Sequence, residues 1–379
     1  MEPKVRFKGF SGEWNVYTIG DIAPVMGGYA FQSEQFSNSG IAIVRISNIL
    51  DTGIIGGDFV KYDIFTGDTS FRLYSGDILI AMSGATTGKV AIVKTDKFLY
   101  QNQRVGKFSR TDKINYSFLA SIVGSNKFRL ELNKRLTSSA QPNASSRDID
   151  SIQQYLPNDI IEQGTIASFF SSIDSTIISS AKKLASLKKL KSASLVAMFP
   201  QQGKTTPKVR FKGFEGEWKR HTLYDVLKIN SGKDYKHLES GNIPVYGTGG
   251  YMLSVNDSLS NLDAIGIGRK GTIDKPQYLK APFWTVDTLF FLTKKNNDNL
   301  FFLYNLVQNI NWKKYDESTG VPSLSKNNME RVEIHMPNLA EQQAIATFFR
   351  SLDRKIALET ARLEKLKQIK QACLDKMFV

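Results

Sequence analysis

One cysteine, Cys373, stands in 379 residues, so no internal disulfide braces the chain, which suits a reducing cytoplasm. Three histidines, His221, His237 and His335, lie far apart with no cysteine beside them, so zinc chemistry and histidine-based catalysis find no cluster to use. No stretch approaches the ~20 consecutive apolar residues that a membrane span needs. The opening MEPKVRFKGF carries charge with no apolar run behind it and does not read as a secretory signal. The expectation is a cytoplasmic protein without a membrane partner and without a metal of its own.

Motifs for nucleotide or methyl-donor binding are lacking too, although three spellings come close. GIGRKG (Gly266–Gly271) has the dinucleotide spacing, but TIDKPQY follows it, and no helix starts there to aim its N-terminus at a pyrophosphate. GATTGKV (Gly84–Val90) is one residue short of a P-loop between its glycines and has Val90 where a magnesium-binding hydroxyl belongs. YGTGG (Tyr246–Gly250) leads into the strand-like YMLSV rather than a helix. The Asn-Pro-Pro-aromatic motif with which amino-methyltransferases hold a target base does not occur. These absences predict a chain with no catalytic centre.

Positive charge, by contrast, is plentiful. With 41% hydrophobic and 23% charged residues the chain reads as globular, yet its formal net charge is +14. Such an excess favours polyanions, since each neutralised phosphate releases a counterion. The lysines are scattered, so a solvated basic surface would have the same composition. At this length at least two domains are expected.

The chain also repeats itself. PKVRFKGFSGEW (Pro3–Trp14) returns as PKVRFKGFEGEW (Pro207–Trp218), with only Ser11 and Glu215 differing. The segment Ile160–Pro200 aligns without gaps to Leu339–Val379, sharing Glu162/Glu341, Gln163/Gln342, Phe170/Phe349 and Asp174/Asp353 among others. The order tag, variable region, long segment is thus given twice, as in duplicated domains rather than a solenoid.

Both long segments predict helices. Phe170, Ile173, Ile177, Leu184 and Leu187 recur at three- and four-residue spacing, and Phe349, Leu352, Ile356, Leu363 and Leu366 repeat the stripe. Two matched stripes predict a helix pair, with Lys191 and Lys370 as polar interruptions at the same step. Packing of each helix on its own domain is the alternative.

Between tag and helix the pattern changes to short β-branched runs: Gly40–Leu50, Gly76–Gly84 and Lys89–Val93, then Ile243–Tyr251, Leu262–Gly268 and Thr285–Thr293. A helical stretch follows in each region, near Ser117–Arg135 and Asn299–Asn311, and then a loop around Pro142 or Pro322. The fold class expected is α+β: two globular domains with curved sheets, and two long helices packed as an antiparallel coiled coil. The boundaries read 1–158, 159–200, 201–338 (with 201–208, QQGKTTPK, as linker) and 339–379. Cationic and aromatic side chains fall in or near the predicted turns and suit phosphate contact and base-edge readout. In the first unit they are Tyr29, Arg45, Lys89 and Arg104; in the second, Lys233, Tyr235, Lys236, Tyr251, Arg269 and Lys270.

The duplicated layout resembles the specificity subunit of a type I restriction–modification system along the whole chain. RFKGFSGEW and RFKGFEGEW resemble the entries to its two target-recognition domains, GDILIAMSGATTGKVAIV a strand–loop–strand within one, and EQGTIASFFSSID and EQQAIATFFRSLD the starts of its two conserved helices. The resemblance implies a non-catalytic, sequence-specific subunit that reads a split double-stranded DNA target, one half per domain. It implies helices that set the gap, two modification subunits carrying S-adenosylmethionine, and restriction subunits carrying ATP and Mg. Recognition domains vary strongly in this family, so the residues proposed for DNA contact rest on chemistry and position, not on a family motif. A related combined restriction–modification enzyme would share the layout. A self-contained DNA enzyme or a coiled-coil scaffold fits the missing motifs and the charge less well.

Overall fold

The computed structural model describes residues 1–64, 67–136, 143–201 and 203–378. The loop expected around Pro142, Gln202 of the linker and Val379 lie outside the described residues. Contacts group the chain into two compact units, Met1–Lys182 with Ala361–Val379, and Lys183–Thr360.

In the first unit the strands are β1 (Asn15–Thr18), β2 (Val25–Gly27), β3 (Ile41–Val44), β4 (Lys61–Tyr62), β5 (Arg72–Leu73), β6 (Ile78–Ala81), β7 (Val90–Ile92), β8 (Leu99–Gln101), β9 (Val105–Phe108) and β10 (Gln153–Leu156). They form three sheets ordered β1-β10, β2-β9-β6-β7 and β4-β3-β8-β5. The short helices are α1 (Ile19–Ile22), α2 (Tyr116–Val123), α3 (Asn126–Arg135) and α4 (Ser146–Asp150), and the long helix α5 (Ile160–Ala197) begins in this unit. The single helical stretch expected near Ser117–Arg135 is in fact two helices. Gly124 ends α2, and the Ser125 hydroxyl caps α3 by accepting from Phe128 N at 3.2 Å.

The second unit repeats this plan with α6 (Leu223–Val226), α7 (Leu300–Gln308), α8 (Lys326–Glu330) and the long helix α9 (Leu339–Met377). Its strands are β11 (Lys219–Thr222), β12 (Leu227–Ser231), β13 (Ser240–Gly247), β14 (Gly250–Val255), β15 (Ala264–Gly268), β16 (Gln277–Leu279), β17 (Trp284–Thr285), β18 (Leu289–Lys294) and β19 (Glu333–Met336). The sheets run β11-β19, β12-β18-β15-β16 and β14-β13-β17. The run read as one strand over Ile243–Tyr251 is a hairpin, because Gly247 pairs with Gly250 across a two-residue turn. Thr285–Thr293 is likewise broken, at Val286–Thr288, between β17 and β18.

The repeated tag is a clamp on the long helices. Arg6 forks onto Glu162, with Nε to Oε1 at 2.7 Å and Nη2 to Oε2 at 2.8 Å. Arg210 does the same to Glu341 at 2.6 and 2.7 Å. Both carboxylates are buried, at 1% and 0% exposure, so a planar fork that satisfies both oxygens is what makes them tolerable there. The next residue in each helix also anchors the globular part. Gln163 Oε1 accepts from Asn115 N at 2.8 Å, and Gln342 Oε1 accepts from Asn299 N at 3.0 Å. Asn115 and Asn299 in turn cap α2 and α7 with their side chains.

Aromatic side chains close each unit. In the first, Trp14, Phe118 and Phe170 surround Phe378, with ring centroids 5.7–6.2 Å from it. In the second, Trp218, Phe302 and Phe349 surround Phe199 at 5.5–6.1 Å. The start of α5 therefore lies against the end of α9 in the first unit, with Lys370 Nζ 2.6 Å from Asp174 Oδ1. In the second unit the end of α5 lies against the start of α9, with Lys191 Nζ 2.6 Å from Asp353 Oδ1. The pairings run in opposite chain directions, so within each unit the helices are antiparallel. Of the stripe residues, Phe170, Phe349, Leu352 and Leu363 are buried, and Ile173, Ile177, Leu184, Leu187, Ile356 and Leu366 are half-buried. The two lysines are not free polar interruptions; each meets an aspartate.

Candidate nucleic-acid interface

At one end of the second unit several loops are tied to the backbone between β17 and β18. Lys233 N donates to Thr285 O at 2.9 Å, Val286 N to Tyr246 O at 3.1 Å and Arg269 N to Thr288 O at 2.8 Å. Leu324 N donates to Arg269 O at 2.9 Å and Gly271 N to Pro322 O at 2.8 Å. The close approach needs glycine at position 232, where a Cβ would collide with Val286 O. Lys233, Arg269 and Lys270, far apart in sequence, thus come to one rim, all exposed.

The first unit builds the same rim. Tyr29 N donates to Gln101 O at 2.9 Å, Asn102 N to Val44 O at 3.1 Å and Met82 N to Arg104 O at 3.0 Å. Ala144 N donates to Met82 O at 2.8 Å. Here Gly28 plays the part of Gly232, since a Cβ would collide with Gln101 O. The strand pairs beneath agree: Val44 faces Gln101 as Tyr246 faces Thr285, both in parallel register. The backbone of the rim is therefore duplicated although its side chains are not. Tyr29 stands where the second unit has Lys233, and Met82 where it has Arg269.

The expected contact residues divide by what holds them. Arg104, Lys233, Lys236, Arg269 and Lys270 are exposed and form no ion pair among the described residues. Lys89 is different: its Nζ lies 2.7 Å from Asp51 Oδ1, so part of its charge is answered within the protein. Arg45 follows β3 and is half-buried, and its Nε meets no hydrogen-bond partner among the described residues. Tyr29 stacks on Phe71, ring centroids 4.9 Å apart, inside an aromatic cluster with Phe31. Tyr235 packs against the core beneath its loop, and Lys236 rides on the turn closed by Leu238 N to Tyr235 O at 2.9 Å. Tyr251 is 63% exposed on β14, its hydroxyl 3.2 Å from Ser254 Oγ.

Sequence reasoning placed no residue of the loop Asp316–Ser323 at the rim. Yet Lys270 forms a β-bridge with Ser323, which sets that loop beside the two cations. The signal available was the Asp-x-Ser spacing of DESTGVPS, an Asx-turn pattern. No cluster of three His, Cys, Asp or Glu side chains able to hold a metal occurs among the described residues. No described helix is long and apolar enough to cross a membrane.

Two separate stretches, residues 11–189 and 215–368, match the family described as Type I restriction modification DNA specificity domain. The chain belongs to that family. The matches fall one on each copy of the duplicated layout. Among curated proteins, the type I restriction enzyme MjaVIII specificity subunit of Methanocaldococcus jannaschii is 28% identical over 187 residues, 47% of this chain and 44% of that protein. The chain's match thus spans less than half of that relative's length. Among solved structures, a type I restriction–modification S subunit from M. genitalium shares the fold with a TM-score of 0.72 at 19% identity, over 100% of this chain and 99% of that one. A chain from a structural study of complex assembly and conformational transition of the type I R-M system gives 0.56 at 16% identity, over 98% and 99%. Both solved chains thus share the overall fold in which the rim is set.

Proposed function

We propose that this chain is the DNA-specificity subunit of a type I restriction–modification complex, and that each unit reads one half of a split double-stranded target. The observation that carries the reading is the duplicated rim: one hydrogen-bonded backbone, given twice, bearing unlike side chains. Two copies of a scaffold with divergent surfaces suit two unlike half-sites. Exposed cations without carboxylate partners suit phosphates, which position a reader on the duplex.

In this reading the chain carries no catalysis. Two modification subunits, each holding S-adenosylmethionine, methylate adenine, and restriction subunits bring ATP and Mg. The whole acts on cytoplasmic DNA. Mapping adenine methylation in the host genome tests it. A split motif should be present, should vanish when the gene is deleted and should return with the gene on a plasmid. An unchanged methylome after deletion would refute the proposal. Methyl transfer to DNA by the purified chain alone, given S-adenosylmethionine, would refute its non-catalytic part.

A further inference from the structure

The loop between Asp316 and Ser323 is built more firmly than an idle connection requires. Asp316 Oδ1 accepts from Ser318 N at 3.0 Å, Ser318 Oγ at 2.8 Å and Ser323 N at 2.9 Å. Those hydrogen bonds, first from Ser323 and then from Ser318, hold its carboxyl below the usual carboxylate range. Glu317 N donates to Ser323 O at 3.1 Å, and the Glu317 carboxylate accepts from Ser325 Oγ at 2.9 Å and from Asn328 Nδ2. Both acidic side chains are thus engaged by the loop base and the following helix. What the loop presents outward is Thr319, Gly320, Val321 and Pro322, with Val321 67% exposed.

An exposed valine alone means little. This one sits on a pinned tip stitched to the strand end that bears Arg269 and Lys270, through Gly271 N to Pro322 O and the Lys270–Ser323 bridge. Cations that grip phosphates bring an adjacent tip to the groove. An aliphatic side chain there has no hydrogen bond to offer. The one apolar mark on a base edge in the major groove is the thymine C5-methyl.

Building on the function proposed above, we infer that Val321 reads a thymine methyl in the half-site of the second unit, and that Asp316 is the positioning residue that holds it there. The test uses the full chain within its modification complex. The target is first selected from a randomised duplex pool. Each thymine of that target is then replaced singly by deoxyuridine, which removes only the methyl.

One replacement should weaken binding about three- to fivefold, the worth of one buried methyl-sized group. Val321→Ala should abolish that difference at that position and leave every other position, including the whole other half-site, as in the unaltered protein. Asp316→Ala should lose the same thymine preference, whereas Asp316→Asn, which keeps the accepting oxygen, should retain it. Retention of the full thymine preference at every position by Val321→Ala overturns the inference, as does a target with no methyl-sensitive thymine. Failure of the pool to yield any split target would instead overturn the function proposed above.

Discussion

Single residues in this chain divide into those that hold the frame and those that face outward. Arg6 and Arg210 belong to the first kind. Removing one leaves a buried carboxylate without its partner, so Arg6→Ala should destabilise the first unit by about 3 kcal/mol, read as a lowered denaturation midpoint. Lysine should not rescue, since a point charge cannot fork onto both Glu162 oxygens. Neither partner assignment was legible in sequence. The tag announced itself by repetition, but its glutamate lies 156 residues away in one copy and 131 in the other, beyond any local pattern.

The phosphate contacts proposed for the outward residues are tested by salt. Neutral substitution of Arg104, Arg269 or Lys270 should flatten the dependence of log affinity on log salt by about one unit per charge. The same change at Lys89 should do less, because Asp51 already answers part of its charge. Equal slopes for all four variants and the parent would discard these positions. That Lys89 and Arg104 differ was likewise hidden, since both read as basic turn residues and Asp51 lies in a distant loop.

A third residue-scale effect concerns acid. Hydrogen bonds from Thr18 hold the Asp21 carboxyl below its usual range, those from Thr222 do so for Asp225 and those from Ser145 for Asp148. A carboxyl whose folded value is depressed stabilises the fold above its unfolded value, about 3.9, and loses that contribution as pH falls through the lower folded value. Stability should therefore hold at neutral pH and fall steadily below about pH 4. Asp225→Asn should shrink that acid-side slope in an equilibrium unfolding series.

Among elements, the long helices were the most legible. Their stripes persist over many turns, and the observed bounds, Ile160–Ala197 and Leu339–Met377, lie within three residues of the predicted segments. Period and length decide such a case. The strand regions were legible as strands but not in their breaks: the turn inside Ile243–Tyr251 is set by pairing of Gly247 with Gly250, and the gap after Thr285 by hydrogen bonds to other loops. Those are tertiary choices. The helix pair makes its own prediction. Lys370→Glu should place like charges at Asp174 and cost about 1 kcal/mol, since the pair is part-exposed. Adding Asp174→Lys should recover most of the loss in a double-mutant cycle. Equal, additive losses would mean that the pair contributes nothing.

For the whole molecule the central claim is that two copies of one scaffold read two different half-sites. The frame shared by the copies is the tag, the helix start and the rim backbone. The variable part of the second copy is bounded by β11 and β19, which pair from Lys219–Met336 to Thr222–Glu333, so an exchange cut at Lys219 and Met336 removes a closed module. The direct test replaces Lys219–Met336 with the matching region of a relative and sequences the methylome of a strain carrying the hybrid. The account predicts a split motif in which one half is new and the other unchanged. An active hybrid in which both halves change, or neither does, would contradict it.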